Sequence, residues 1–128
     1  MILKNFDIVT IINKSSSIKN KKIPVKVGFA INRNLAILDP IASAYEDERR
    51  KIIDKYAEKD ERGSPKISDG KYVLNDPENY KKDMKELLEM ENEINFYTIP
   101  IDDLAKCDED KFDSLTPDEL EALYNMIE

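Results

Sequence analysis

The sequence predicts a mainly α fold with a minor β part: a long antiparallel helical hairpin with a small β-hairpin at its tip. A long stretch from Pro24 to Glu58 repeats apolar residues in alternating steps of four and three, which lets one helix lie along another. Asp69-Gly70 is a strong signal for a two-residue turn between strands. A second stretch with the same spacing begins at Asp76-Pro77. We therefore expect two helices that flank a turn and pack along each other.

The first of these helices forms the centre of the predicted fold. Its apolar row consists of Ile31, Leu35, Leu38, Ala42, Tyr45, Ile52 and Tyr56. At roughly 1.5 Å per residue the helix would be on the order of 50 Å long, so part of it should project. Asp39-Pro40 marks either a kink or a restart. The apolar surface is wide before Tyr45 and narrow after it. We expect one domain, residues 1–128, with a base of about 1–44 and 94–128 and a projecting arm of about 45–93.

The N-terminal segment carries two conflicting patterns. The β-branched run in residues 7–12 favours a strand, whereas Asn5 is a residue that can cap a short helix. We favour the helix for residues 2–13 because no partner strand is evident. Residues 14–22 then read as a basic, polar loop, and Pro24 suits the first turn of the long helix.

The arm should end in the β-hairpin. Gly63 is expected to end the long helix, and residues 66–68 and 71–74 to form the two strands. The second helix, about 76–93, should then return along residues 41–57 through a row of Tyr80, Met84, Leu87, Glu91 and Ile94. In this register Arg49 and Glu91, the charged members of the two rows, would lie within about one heptad layer.

The C-terminal third returns to the base. Residues 94–101 read as an extended edge segment, because Pro100 lacks an N–H, and residues 102–113 as an acidic connector. A short final helix is predicted from the capping box of Thr116 and Glu119 with Pro117 at the first position. Its docking side chains should be Leu120, Leu123, Met126 and Ile127.

Composition argues against catalysis. The chain has no His, which removes the commonest general base. Its single Cys107 lies in an acidic segment that disfavours a thiolate. We expect no catalytic residue, no cofactor and no metal site, and hence no enzyme. A lone cysteine, the lack of a signal-like start and the lack of a long apolar run favour a reducing, cytoplasmic environment.

Charge is distributed unevenly along the chain. The net charge of −7 combines +6 in residues 1–38, −2 in residues 39–88 and −11 in residues 89–128. Either the basic and acidic regions attract each other within the fold, which we favour, or one of them faces a charged partner.

Three functions are compatible with these patterns. The first is a protein-binding module, with Tyr72 and its neighbours at the hairpin as contact residues. The second is an inhibitor whose acidic region (residues 89–128) imitates nucleic-acid phosphates toward an enzyme that acts on nucleic acids. The third, less favoured, is nucleic-acid binding through the basic segment 14–26. The candidate partner-binding residues are Tyr72, Lys71, Lys66, Lys19, Lys21 and Lys22. Whether the helical seam closes within one chain or between two stays open.

Several segments together resemble a protein family. They are Pro24-Val25-Lys26, Asn32-Arg33-Asn34-Leu35, Tyr45 to Arg49, Lys55 to Asp60, and Leu115 to Leu123. With them the chain is similar to a family of small tailed-phage proteins from Gram-positive hosts (DUF1617-like). The resemblance implies a phage or prophage origin and hence the cytoplasm of a bacterial host cell. The binding module would then engage a virion component or a host factor, and the inhibitor would act on a host nucleic-acid-acting or defence enzyme. The resemblance itself implies no activity and no functional residues. Asp39-Pro40 departs from the uninterrupted helix that such proteins suggest.

Overall fold

The N-terminal segment is a strand followed by a helix. A computed structural model describes residues 1–127. Strand β1 (Ile2–Lys4) leads directly into helix α1 (Asn5–Ser15), and a 3-10 turn (Ser16–Asn20) follows. The prediction of a helix for residues 2–13 is thus wrong at its start, because β1 has a partner strand more than 80 residues away along the chain. The predicted loop 14–22 is largely helical or 3-10.

Helix α2 (Val25–Tyr56) is the long element that the sequence predicts. It passes through Pro40 without restarting; Pro40 is exposed, so water can solvate the carbonyl that loses its N–H partner. Pro24 precedes the first turn as the N-cap residue and does not lie within it. Burial follows the predicted change in width. Val27, Ile31, Asn34 and Leu38 are buried in the first half, and only Ile53 in the second.

A β-hairpin follows α2. The helix ends at Tyr56 and not at Gly63, because Ala57 is extended and bridges Leu74. A second bridge, Lys59 to Pro65, closes the loop that contains Gly63, whose φ is +81°. Strands β2 (Ile67–Ser68) and β3 (Lys71–Tyr72) are antiparallel, as predicted. Asp69 and Gly70 between them have φ values of +53° and +77°, the turn conformation that this residue pair favours.

Helix α3 (Pro77–Glu89) starts as the sequence predicts. The Asp76 carboxylate accepts a hydrogen bond from the Asn79 N–H at 3.2 Å. The helix ends four residues earlier than predicted, because residues 91–93 form strand β4 (Glu91–Glu93), which pairs antiparallel with β1. The predicted place of Glu91 in the helical row of α3 is therefore wrong. Arg49 pairs with Glu46 at 3.0 Å, and Glu91 lies opposite Lys4 in the sheet.

The C-terminal third is more helical than predicted. The acidic connector contains helix α4 (Ile101–Ala105) and a 3-10 turn (Lys106–Asp108). Helix α5 (Pro117–Leu123), continued by a 3-10 turn (Tyr124–Met126), has the predicted capping box. The most deeply buried side chains of the core come from α1, α2, residues 94–99 and the C-terminal helical segment: Ile8, Val27, Leu38, Ile94, Ile99, Leu123 and Met126. No helix within residues 1–127 combines the length and the apolar character needed to cross a membrane.

Candidate protein-binding site

An apolar groove lies between α4 and α5. Three of its side chains are large, apolar and solvent-exposed: Ile101 is 63% exposed, Tyr124 75% and Leu120 41%. Leu104, Cys107 and Leu115 line its floor and walls, and the groove has a volume of about 610 Å³. We call this surface the acidic groove, because Asp108 and Glu121 stand at its edge. Apolar surface gathered in a groove with a charged edge is typical of interaction sites.

Backbone pairing positions the two walls. The Ile99 N–H donates to the Met126 carbonyl at 2.7 Å, and Ile99 bridges Ile127 in parallel. Helix α4 starts two residues after Ile99, so this bridge fixes Ile101 beside the end of α5. The opposite face of α5 is anchored in the core by Ala122 and Leu123. The groove is therefore formed before any partner arrives, which lowers the entropic cost of binding.

A buried ion pair holds α5 from behind. Glu119 is 1% exposed, and its carboxylate accepts hydrogen bonds from the Lys21 ammonium at 2.6 Å and the Ser17 hydroxyl at 2.7 Å. The Thr116 N–H donates to it at 2.8 Å. Burial alone would raise the pKa of Glu119, but these hydrogen bonds outweigh it and lower the pKa to about 2. Glu119 is thus fully ionised at neutral pH and ties α5 to the turn after α1.

The charge around the groove is strongly negative. Residues 101–127 contain nine carboxylates and two lysines. Asp102, Asp108 and Asp118 are exposed and form no ion pair with any residue in 1–127. Glu121 pairs with Lys14 at 3.0 Å but is still 66% exposed. The groove therefore offers apolar contact inside a negative field.

Cys107 lies at the base of this groove and is 2% exposed. Burial raises the pKa of its thiol, and the neighbouring Asp108 carboxylate raises it further. A thiol with a raised pKa is a poor nucleophile at neutral pH. The arrangement thus serves packing and does not activate the sulfur.

The predicted contact residues at the hairpin lie outside this groove. Lys66 and Lys71 are exposed and Tyr72 is partly exposed; Tyr72 lines a shallow surface pocket together with Arg49 and Ile53 of α2. The exposed apolar side chain at the tip is its cross-strand partner Ile67, at 60%. The structure therefore brings the three predicted tip residues together and adds Ile67, which the sequence reasoning did not single out.

The predicted basic residues of the N-terminal region are partly used within the fold. Lys21 pairs with Glu119, and the Lys22 N–H donates to the Asp113 carboxylate at 2.7 Å. Lys14 pairs with Glu121. The side chains of Lys19 and Lys22 are both exposed, and neither ammonium forms an ion pair within residues 1–127, since the Lys22 contact is made by its backbone N–H. The favoured interpretation of the charge asymmetry, attraction within the fold, agrees with these contacts.

A further exposed cluster lies on the first turns of α2. Phe29 is 61% exposed and Tyr97 45%, and the Arg33 guanidinium lies 3.5 Å from the Tyr97 ring centroid. Asn34 is fully buried and holds Tyr97 in place through both backbone groups, at 2.8 and 2.7 Å. This cluster is smaller than the acidic groove and has no concave surface.

We compared the chain with protein-family models, curated proteins and solved structures. None of them matches it.

The sequence analysis missed the acidic groove but contained a signal for it. Leu120 and Tyr124 are four residues apart and share a helix face. Leu123 and Met126 lie on a different face, which is the one that packs on the core. A single docking face cannot bury both pairs, so Leu120 was wrongly expected to dock. Two apolar faces on one short helix indicate a second contact surface.

Proposed function

We propose that this protein is a non-enzymatic binding module whose acidic groove takes a basic, amphipathic segment of a partner protein. The observation that carries the proposal is the exposure of Ile101, Leu120 and Tyr124 on one preformed groove. Fully burying one such side chain contributes about 1.5–3 kcal/mol. Tyrosine is also among the residues that dominate interface energies.

The charge of the groove defines the chemistry of the partner. Asp102, Asp108 and Asp118 are exposed and have no ion-pair partner in residues 1–127. A partner segment with apolar residues on one face and Lys or Arg beside them would complement this surface. Its apolar residues would pack in the groove, and its cations would pair with the carboxylates at the edge. Such charges chiefly raise the association rate and exclude acidic competitors.

We further infer that α3 returns antiparallel along the second half of α2, so that the β-hairpin lies at the far end of an arm. The Tyr56 hydroxyl donates to the Asp83 carboxylate at 2.7 Å, and the Tyr56 and Tyr80 rings meet edge to face at 6.3 Å. The Asn75 N–H donates to the Tyr56 carbonyl at 2.7 Å where the chain turns back. The hairpin, with Ile67, Lys66 and Lys71, would then be a second contact point far from the groove.

The family resemblance supports a phage or prophage origin. The partner would in that case be a virion component or a host factor, met in the bacterial cytoplasm. Imitation of nucleic-acid phosphates by the acidic region is the competing function, and it differs in one respect: it depends on charge and not on the apolar side chains.

The proposal is tested with a helical peptide of Leu and Lys as the probe, and a Leu/Glu peptide of the same pattern as its control. The wild-type protein should bind the Leu/Lys peptide and not the Leu/Glu peptide, as measured by fluorescence anisotropy. Tyr124→Ser leaves the net charge unchanged and should weaken binding about tenfold, or roughly 1.4 kcal/mol.

The matched control is Val25→Ser, which removes an apolar side chain that is 86% exposed at the start of α2, outside both the groove and the hairpin. It should leave peptide affinity unchanged. If Tyr124→Ser had no effect while added salt abolished binding, the contact would be one of charge alone, and phosphate imitation would be the better description.

A further inference from the structure

A second apolar groove lies between the start of α1 and the exposed side of α3. Phe6, which is 58% exposed, lies there with Met84 and Leu88. The groove has a volume of about 520 Å³, close to that of the acidic groove. Lys4, Lys81 and Lys85 surround it, with Glu89 as its single acid, and we call it the basic groove.

The ammonium groups of the basic-groove lysines form no ion pair within residues 1–127, although Glu91 lies opposite Lys4 in the sheet. Three lysines and one glutamate give the lining of this groove a net charge of +2, in a protein whose net charge is −7. A negatively charged amphipathic surface would complement this groove.

Buried polar contacts make this groove rigid. The Asn5 side-chain amide donates to the Leu87 carbonyl at 2.7 Å, and the Asn5 N–H donates to the Met90 carbonyl at 2.9 Å. Asn92 in turn donates to the Asn5 side-chain oxygen at 2.9 Å. These bonds satisfy carbonyls at the end of α3 and fix the start of α1 against it. Phe6, the next residue, is thereby held at the groove.

The chain itself carries the complementary surface. Helix α5 presents Leu120 and Tyr124 beside unpaired carboxylates, which is an acidic amphipathic face of the kind that the basic groove requires. The two grooves do not overlap. Phe6 lies near the start of α1, whereas Lys14, paired to Glu121 at the acidic groove, lies near its end. At about 1.5 Å per residue, these positions are separated by roughly 12 Å.

We propose that copies of this chain associate head to tail, with the acidic groove of one copy on the basic groove of the next. This inference rests on the proposed function and names a second copy as the partner that supplies the basic apolar surface. When each copy uses one groove to bind the next copy, its other groove stays free for a third. Such contacts between two different surfaces therefore produce open chains or closed rings rather than a symmetric dimer. The exposed apolar side chains at each groove are few, so the affinity should be in the micromolar range, as for small transient interfaces.

The test uses two variants that each disable one groove. Leu120→Asp with Tyr124→Asp removes the acidic groove and leaves the basic one. Phe6→Ser with Lys85→Glu removes the basic groove and leaves the acidic one. All four side chains are exposed, so both variants should fold. Sedimentation velocity of each variant alone should give the 14.8 kDa monomer, and an equal mixture should give a species of twice that mass, since one productive pair of grooves remains.

The wild-type protein should exceed the dimer mass as its concentration rises, and 0.5 M salt should return it to the monomer. A wild-type protein that stays monomeric at several hundred micromolar would overturn the proposal. So would variants whose mixture stays monomeric, which would point to a symmetric contact or none. The Leu/Lys peptide assay separates the two proposals, because peptide binding by a monomeric wild type would refute self-association and retain the function of the acidic groove.

Discussion

Acidification should destabilise this protein through one side chain, Glu119. Burial alone would raise its pKa, but hydrogen bonds from Lys21, Ser17 and Thr116 lower it to about 2. In the unfolded chain a glutamate has a pKa of about 4.3. The folded state therefore binds the proton more weakly, and the stability that Glu119 contributes is present above about pH 5 and is lost as pH falls toward 2.

The size of the effect follows from the two pKa values. Their difference of about 2.3 units corresponds to roughly 3 kcal/mol at 1.36 kcal/mol per unit. At pH 3 the unfolded side chain is almost fully protonated and the folded one still ionised, so about 1.7 kcal/mol is lost. Because Glu119 is 1% exposed, solvent screens this interaction little.

Glu119→Gln isolates this contribution from the other carboxylates. Glutamine keeps the shape and can complete the capping box, but it cannot titrate. Urea unfolding at pH 7, 5, 3 and 2 should show the variant about 3 kcal/mol less stable at pH 7, with the difference shrinking to near zero at pH 2. Two stability curves that stay parallel over this range would refute the assigned pKa and the role of the buried pair.

Three further substitutions test other parts of the fold. Asn34→Ala should cost about 2–4 kcal/mol in urea unfolding, because it leaves the N–H and carbonyl of Tyr97 unpaired. Pro40→Ala should stabilise the protein by about 1–3 kcal/mol and increase the helical circular-dichroism signal, because it restores a backbone donor within α2; an unchanged melting temperature would contradict this. Gly70→Ala should lower the free energy of unfolding by about 1 kcal/mol, because φ there is +77° and no neighbouring atom would clash; Ser68→Ala is its control at a position of ordinary φ.

Local signals in the sequence predicted the parts of the fold that depend on neighbours along the chain. The capping box at Thr116, the Asp76-Pro77 start and the Asp69-Gly70 turn are all present, because each requires only a few adjacent residues. The length of α2 was also predictable, since its apolar row continues past Pro40. The predicted C-terminal ends of α2 and α3 are wrong, because Ala57 is extended and bridges Leu74, and residues 91–93 form β4.

Long-range pairing is what the sequence did not reveal. Residues 2–4 become a strand only because residues 91–93 supply the other, and Asn5 joins the end of α3 in place of capping a helix. The acidic groove could not be predicted for the same reason, because only the long-range bridge between Ile99 and Ile127 places Ile101 beside α5. No local pattern encodes that bridge. The unpaired lysines of the basic groove likewise emerge only when α1 and α3 are brought together.

The closed loop before the β-hairpin has a practical use. Its ends are held together by the bridge between Lys59 and Pro65, and a Cβ placed on Gly63 would meet no atom within 4 Å. A short tag or fluorescent reporter inserted there would start and finish at nearly the same point, so it should disturb neither α2 nor α3. Labelled molecules could then be followed during assembly or binding with both grooves left bare.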